Sequence, residues 1–124
     1  MYIEINDRLK DLTGGIAISP KKTAFPIPAI PQVFGLVLEN QWIILGGDVL
    51  TPKLKPTYDN WFYEPDKKRS LVWNAKQSIE ESMRYISAYV KRNGENFWFV
   101  FTISNTYIEG KLGENRLFLI NTSK

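Results

Sequence analysis

Between positions 45 and 63 the chain gathers Leu45-Gly46-Gly47-Asp48-Val49-Leu50, a proline-bounded turn carrying Lys53 and Lys55, and Thr57-Tyr58-Asp59-Asn60-Trp61-Phe62-Tyr63. No other stretch mixes glycine, carboxylate, amide and aromatic groups so densely. Asp48 and Asp59, with Glu64 close behind, are of the type that serves as acid and base or holds a divalent cation once brought together. Gly46-Gly47-Asp48 also invites comparison with phosphate-binding loops. Neither the P-loop spacing nor a dinucleotide fingerprint is present, and no helix is expected directly after the glycines. Glycines at such a place more often mark a bulge or a close backbone approach, with Asp48 accepting hydrogen bonds from nearby amides.

Strand alternation separates the carboxylates further. It sends Asp59, Trp61 and Tyr63 to one face and Tyr58, Asn60 and Phe62 to the other. A small hydrolase or metal enzyme built on Asp48, Asp59 and Glu64 stays an alternative, but the neighbours that would activate them are missing. The aromatic side chains say more. Tyr58, Trp61 and Tyr63 fit a core or an interface equally, since Tyr and Trp dominate both. Exposed aromatics on a sheet could also stack single-stranded nucleic acid, although the basic groove that such binding needs is absent.

Three elements must position this segment. Residues 42–50 are continuously apolar and β-branched up to the glycines and predict a buried strand, which Pro52 and Pro56 separate from a second strand over 58–63. A helix is expected over 71–92, because Val72, Ala75, Ile79, Met83, Ile86 and Val90 fall on one stripe. Ser70 is placed to cap it and Gly94 to stop it with a left-handed residue, while Lys76, Glu80 and Arg84 stack at i, i+4 on the solvent side. Pro31 suits the first turn of a shorter helix through Val33, Leu36 and Val37 that ends at Asn40; a strand over 33–39 is the alternative. The prolines at 20, 26, 28 and 31 predict an extended connector. Residues 2–19 fit either a strand through Ile3 and Ile5 or a helical turn over 7–12. Residues 97–103 and 116–122 read as a second hairpin, with Trp42, Trp98 and most phenylalanines in the core. The expected fold is α+β: a small single domain, 1–124, with an antiparallel sheet of two hairpins packed against one long helix plus a short helix.

The totals exclude much chemistry. A chain of 124 residues can build one self-sufficient core. With no cysteine and no histidine it forms no disulfide, no Cys/His zinc site and no histidine-assisted triad. The acidic N-terminal residues do not resemble a signal peptide, no span has the length of a membrane helix, and a cytoplasmic location is expected. The net charge of +3 is spread among thirteen carboxylates, which argues against nucleic acid as the main partner.

Ile44-Leu45-Gly46-Gly47-Asp48-Val49, the short turn, Thr57-Tyr58-Asp59-Asn60-Trp61 with Tyr63 two places on, and a helix bearing Ser78 and Tyr85-Ile86 together resemble the immunity protein 40 family of bacterial polymorphic toxin systems. The resemblance covers roughly residues 30–100. The chain departs from the familiar pattern at Phe62, where a tyrosine is usual, and at Gln77, where an arginine is. The resemblance implies a small cytosolic protein that binds and neutralises a cognate secreted toxin, with no catalytic activity and no cofactor. Asp48, Tyr58, Asp59, Asn60, Trp61 and Tyr63 are the candidate contact residues, with Lys53 and Lys55 as rim charges. Trp61 would be the anchor if it is exposed.

Overall fold

In a computed structural model, residues 2–105, 107–108 and 111–112 are described. Their elements are α1 (Tyr2–Lys10), β1 (Ile16–Ser19), β2 (Lys22–Pro26), a 3-10 turn (Ile27–Ala29), α2 (Ile30–Asn40), β3 (Ile43–Leu50), β4 (Pro56–Phe62), α3 (Leu71–Asn93), β5 (Trp98–Ser104), and two-residue strands β6 (Tyr107–Ile108) and β7 (Lys111–Leu112). The first five strands form one antiparallel sheet in the order β1-β2-β5-β3-β4. The architecture is α+β, as the residue pattern predicts.

One face of this sheet carries the main core. Phe25, Ile44, Val49, Trp61, Phe99, Phe101 and Ile103 from the strands meet Ile5 and Leu9 of α1, Ile30, Val33 and Val37 of α2, and Ile86 and Tyr89 of α3. The three helices therefore share a face. A smaller cluster, Ala24, Leu50 and Val100 with Leu54 and Trp98, lies on the other side.

Several expectations need correction. The proline-rich connector is shorter than its composition suggests. Residues 22–26 pair with β5 through Ala24↔Val100 and Phe25↔Phe99; Pro20 lies in the β1–β2 turn, Pro26 ends β2, Pro28 lies in the 3-10 turn and Pro31 in the first turn of α2. The undecided N-terminal segment is helical over Tyr2–Lys10, then enters β1 after Gly14 (φ +93°). Arg8 ties α1 to α2, donating to Asn40 Oδ1 at 2.9 Å and lying over the Trp42 ring. The helical reading of 33–39 holds, with Asn40 as its last residue and Gln41 in the left-handed conformation. β5 is held between β2 and β3 rather than standing in a separate hairpin; the strand expected at 116–122 lies outside the described residues.

The α3 helix matches its expected span, with Ser70 Oγ accepting from the Trp73 N–H. Gly94 has the expected positive φ, +100°, but its ψ of 174° is extended and not left-handed helical. The buried face is also rotated from the apolar stripe. Asn74, Ala75, Ser78, Ser82, Ile86 and Tyr89 are buried, whereas Val72 and Met83 are exposed. Met83 instead borders an apolar groove of about 450 Å³ between α2 and α3, with Phe34, Leu38 and Ile79. Arg84 pairs with Glu81 at 3.0 Å and not with Glu80, and Gln77 Nε2 donates to the same Glu81 oxygen at 3.2 Å.

Candidate functional site

β4 has two chemically different faces, and its register on β3 explains both. Gly47↔Trp61 and Asp48↔Asn60 are directly opposed, so Trp61 lies on the helical side and Asp48 and Asn60 on the other. Asp59, Trp61 and Tyr63 all reach α3. Tyr89 donates its hydroxyl to Asp59 Oδ2 at 2.8 Å, Trp61 Nε1 donates to Ser82 Oγ at 3.1 Å, and the Tyr63 hydroxyl donates to Asn74 Oδ1 at 2.6 Å. These bonds fix one strand along the length of one helix.

Trp61 is thus a core residue, only 6% exposed, and the anchor role reserved for an exposed indole does not apply. Its ring stacks on Tyr85 with centroids 5.0 Å apart and meets Phe101 edge-on. The double glycine makes room for it. A Cβ on Gly47 would collide with the indole and come within 2.6 Å of the Val100 carbonyl oxygen. Gly46, at φ +150°, sits where Leu45 is the extra residue of a bulge between Ile44↔Ile103 and Gly46↔Thr102. Both readings of the glycines, bulge and close approach, are borne out. Ser78 accepts from the Ile44 N–H at 3.0 Å, beyond the last β3–β4 pair, and donates to the Ala75 carbonyl.

Asn74 and Ser82 escaped sequence reasoning. Asn74 is fully buried, accepts from the Asp66 N–H at 2.8 Å and donates to the Asp66 and Ser70 carbonyls at 3.0 Å, which holds the segment between β4 and α3. The signal was present as small polar residues at 74, 78 and 82, one helical turn apart beside the apolar stripe.

Burial raises the hydroxyl pKa of Tyr85 and Tyr89 above 10.0, and the adjacent Asp59 adds to both; Arg92 acts in the opposite sense on Tyr85. Both phenols are therefore neutral at ordinary pH, and Tyr89 is the one that donates to Asp59.

The opposite face carries the exposed chemistry. Tyr58 is 86% exposed and Phe62 84%, with Asn60 and Asp48 also exposed. Contrary to expectation, the Asp48 carboxylate accepts no hydrogen bond and forms no ion pair among the described residues. Between Asp48↔Asn60 and Leu50↔Pro56 one residue on β3 opposes three on β4, and Tyr58, at the middle of this two-residue surplus, has φ +70°. A non-glycine residue held there costs on the order of 1–3 kcal/mol. Thr57 offsets part of this by donating to the Val49 carbonyl at 2.8 Å and accepting from the Asp59 N–H.

Lys53 and Lys55 sit exposed on the β3–β4 turn. Thr51 Oγ1 accepts from both of their backbone amides, and Leu54 between them packs against the Ala24, Leu50 and Val100 cluster, so the turn folds toward this face. As the strand alternation predicts, the carboxylates do not converge: Asp48 and Asp59 point to opposite faces of the sheet. That geometry removes the basis for a shared acid–base or metal site.

The model of the family described as Immunity protein 40 matches residues 13–103. The chain belongs to the immunity protein 40 family. Neither a curated protein nor a solved structure matches it. Within this family member the motif divides by face. Gly46, Gly47, Asp59, Trp61, Tyr63, Ser78 and Tyr85 join the sheet to α3, while Asp48, Tyr58, Asn60 and Phe62 take no part in that junction. No helix among the described residues is long and apolar enough to cross a membrane.

Proposed function

We propose that this immunity protein neutralises a toxin domain encoded beside it, acting in the cytoplasm as a binding protein without catalysis or cofactor. The contact surface is the helix-free face of the sheet. Tyr58, Phe62, Asn60 and Asp48 form its centre, with Lys53 and Lys55 on the rim. The observation that carries this reading is the exposure of Tyr58 and Phe62 on one face of β4, since aromatic rings are the side chains that most often anchor protein interfaces. Asp59, Trp61 and Tyr63 contribute indirectly by fixing β4 to α3.

Strong inhibition needs an interface on the order of 1,600 Å² in total. β4 alone cannot supply it, so the β1 edge, with exposed Ile16 and Ile18, joins the contact surface across the same face. A single-stranded nucleic-acid module is the weaker reading, because the Asp48 carboxylate lies beside Lys22 and Tyr58 and would oppose a phosphate backbone there.

The test is co-expression with the toxin domain of the adjacent gene. Rescue of growth and co-purification are expected from the wild-type chain, with loss of both in a Tyr58→Ala/Phe62→Ala double variant that folds normally. Absence of rescue and of complex with the wild-type chain would reject the assignment.

A further inference from the structure

Between the β1–β2 hairpin and β4 the helix-free face dips into a cavity of about 270 Å³, bordered by Asp48, Tyr58, Asn60, Leu50, Val100 and Lys22. Resting on the toxin-binding reading above, we infer that this cavity receives an arginine side chain of the toxin. The chemistry is that of a guanidinium site. Asp48 and Asn60 are directly opposed across β3 and β4, which places a carboxylate and an amide oxygen side by side on one face. Leu50 and Val100 supply an apolar wall for an alkyl stem. Tyr58 presents an exposed ring against which a planar cation stacks. Its position is fixed by the bulge and by the two hydrogen bonds of Thr57.

The Asp48 carboxylate decides the sign of the ligand. It has no partner among the described residues, so a cation entering the cavity displaces no existing ion pair. Asp48 is also short and set in β3, which is flanked on both sides by β4 and β5. Lys22 borders the same cavity without an ion pair of its own, but its ammonium rides on a flexible four-carbon stem at the start of β2 and can swing toward solvent. Arginine fits better than lysine because the fork of donors can engage Asp48 and Asn60 together while its plane meets Tyr58.

The test measures affinity for the toxin domain with Asp48→Asn, Asp48→Lys and Lys22→Glu variants, each first checked for an unchanged thermal midpoint. Asp48→Asn is expected to weaken binding roughly 10- to 100-fold. Asp48→Lys should weaken it more, and Lys22→Glu should tighten it or leave it unchanged. An unaffected or tighter Asp48→Asn complex, or a weaker Lys22→Glu complex, overturns the inference, the latter pointing to an anion held by Lys22. Should the wild-type chain bind no toxin domain, the toxin reading fails. The cavity is then judged alone by amide shifts during titration with N-acetyl-arginine amide against its citrulline analogue. Saturable shifts at Asp48 and Asn60 with the arginine compound only, lost in Asp48→Asn, retain a guanidinium site. Equal responses to the two compounds, or none, overturn it.

Discussion

The indole N–H of Trp61 and the hydroxyl of Ser82 meet at 3.1 Å in a fully buried contact between β4 and the middle of α3. Gly47 lies directly across the strand from Trp61, and the helix reaches the sheet there through a serine. The same strand sends Tyr58, Asn60 and Phe62 outward. A bond that looks internal to the core thus sets the orientation of the proposed binding face.

Removing the Ser82 hydroxyl strands a buried donor. Ser82→Ala should lower unfolding free energy by about 1–3 kcal/mol, read by urea denaturation followed through tryptophan fluorescence. A loss within ±0.3 kcal/mol would mean that the Trp61 N–H has another acceptor.

Two glycines should respond with opposite signs. Gly47→Ala drives a methyl into the Trp61 ring and toward the Val100 carbonyl, and is expected to cost about 3 kcal/mol or to prevent folding. Gly35 lies within α2 with nothing within 4 Å of the place a Cβ would occupy. Gly35→Ala should therefore stabilise by about 0.5–1 kcal/mol through helix propensity. Thermal midpoints of the two variants moving in the same direction would contradict these placements.

Tyr58 pairs strain with exposure. Tyr58→Gly should leave stability unchanged or raise it by about 1 kcal/mol, while removing the ring and weakening toxin neutralisation. Leu38→Ser, in the α2–α3 groove on the opposite side, should leave neutralisation intact. Growth rescue on co-expression separates them, and loss with Leu38→Ser alone would move the interface to the helical side.

Alkaline pH tests the Asp59–Tyr89 contact. Folding raises the pKa of Tyr85 and Tyr89 above 10.0, so the folded state retains protons that the unfolded chain releases. Their contribution is full below about pH 10, the unfolded phenol value, and is lost as pH rises through the higher folded values. Tyr89→Phe should cost about 1 kcal/mol at neutral pH and show a shallower fall of stability above pH 10. Identical alkaline slopes in wild type and variant would refute the assignment.

Pattern alone was enough for the β3 and β4 strands, the span and Ser70 cap of α3, the alternation of β4 and the role of the glycines. Each depends on local geometry: period two in a strand, period 3.6 in a helix, and the absence of a Cβ. The same local rules placed α3's core on Val72 and Met83 and left Asn74 and Ser82 unnoticed. Which side of an amphipathic helix is buried depends on what it packs against, and here the partners are hydrogen-bonding groups of β4.

The sequence by itself determined β3, β4, β5 and α3, the absence of cysteine and histidine chemistry, and the motif by which the family is recognised, whereas α1, β1 and β2 took their form only from packing and pairing. Only the tertiary structure decided which members of that motif are structural and which face solvent. Trp61 and Tyr58 are equally aromatic and three residues apart, yet one is buried and the other 86% exposed. The strand period already puts them on opposite faces; which face the helices cover follows from pairing and packing between distant segments that no local pattern encodes.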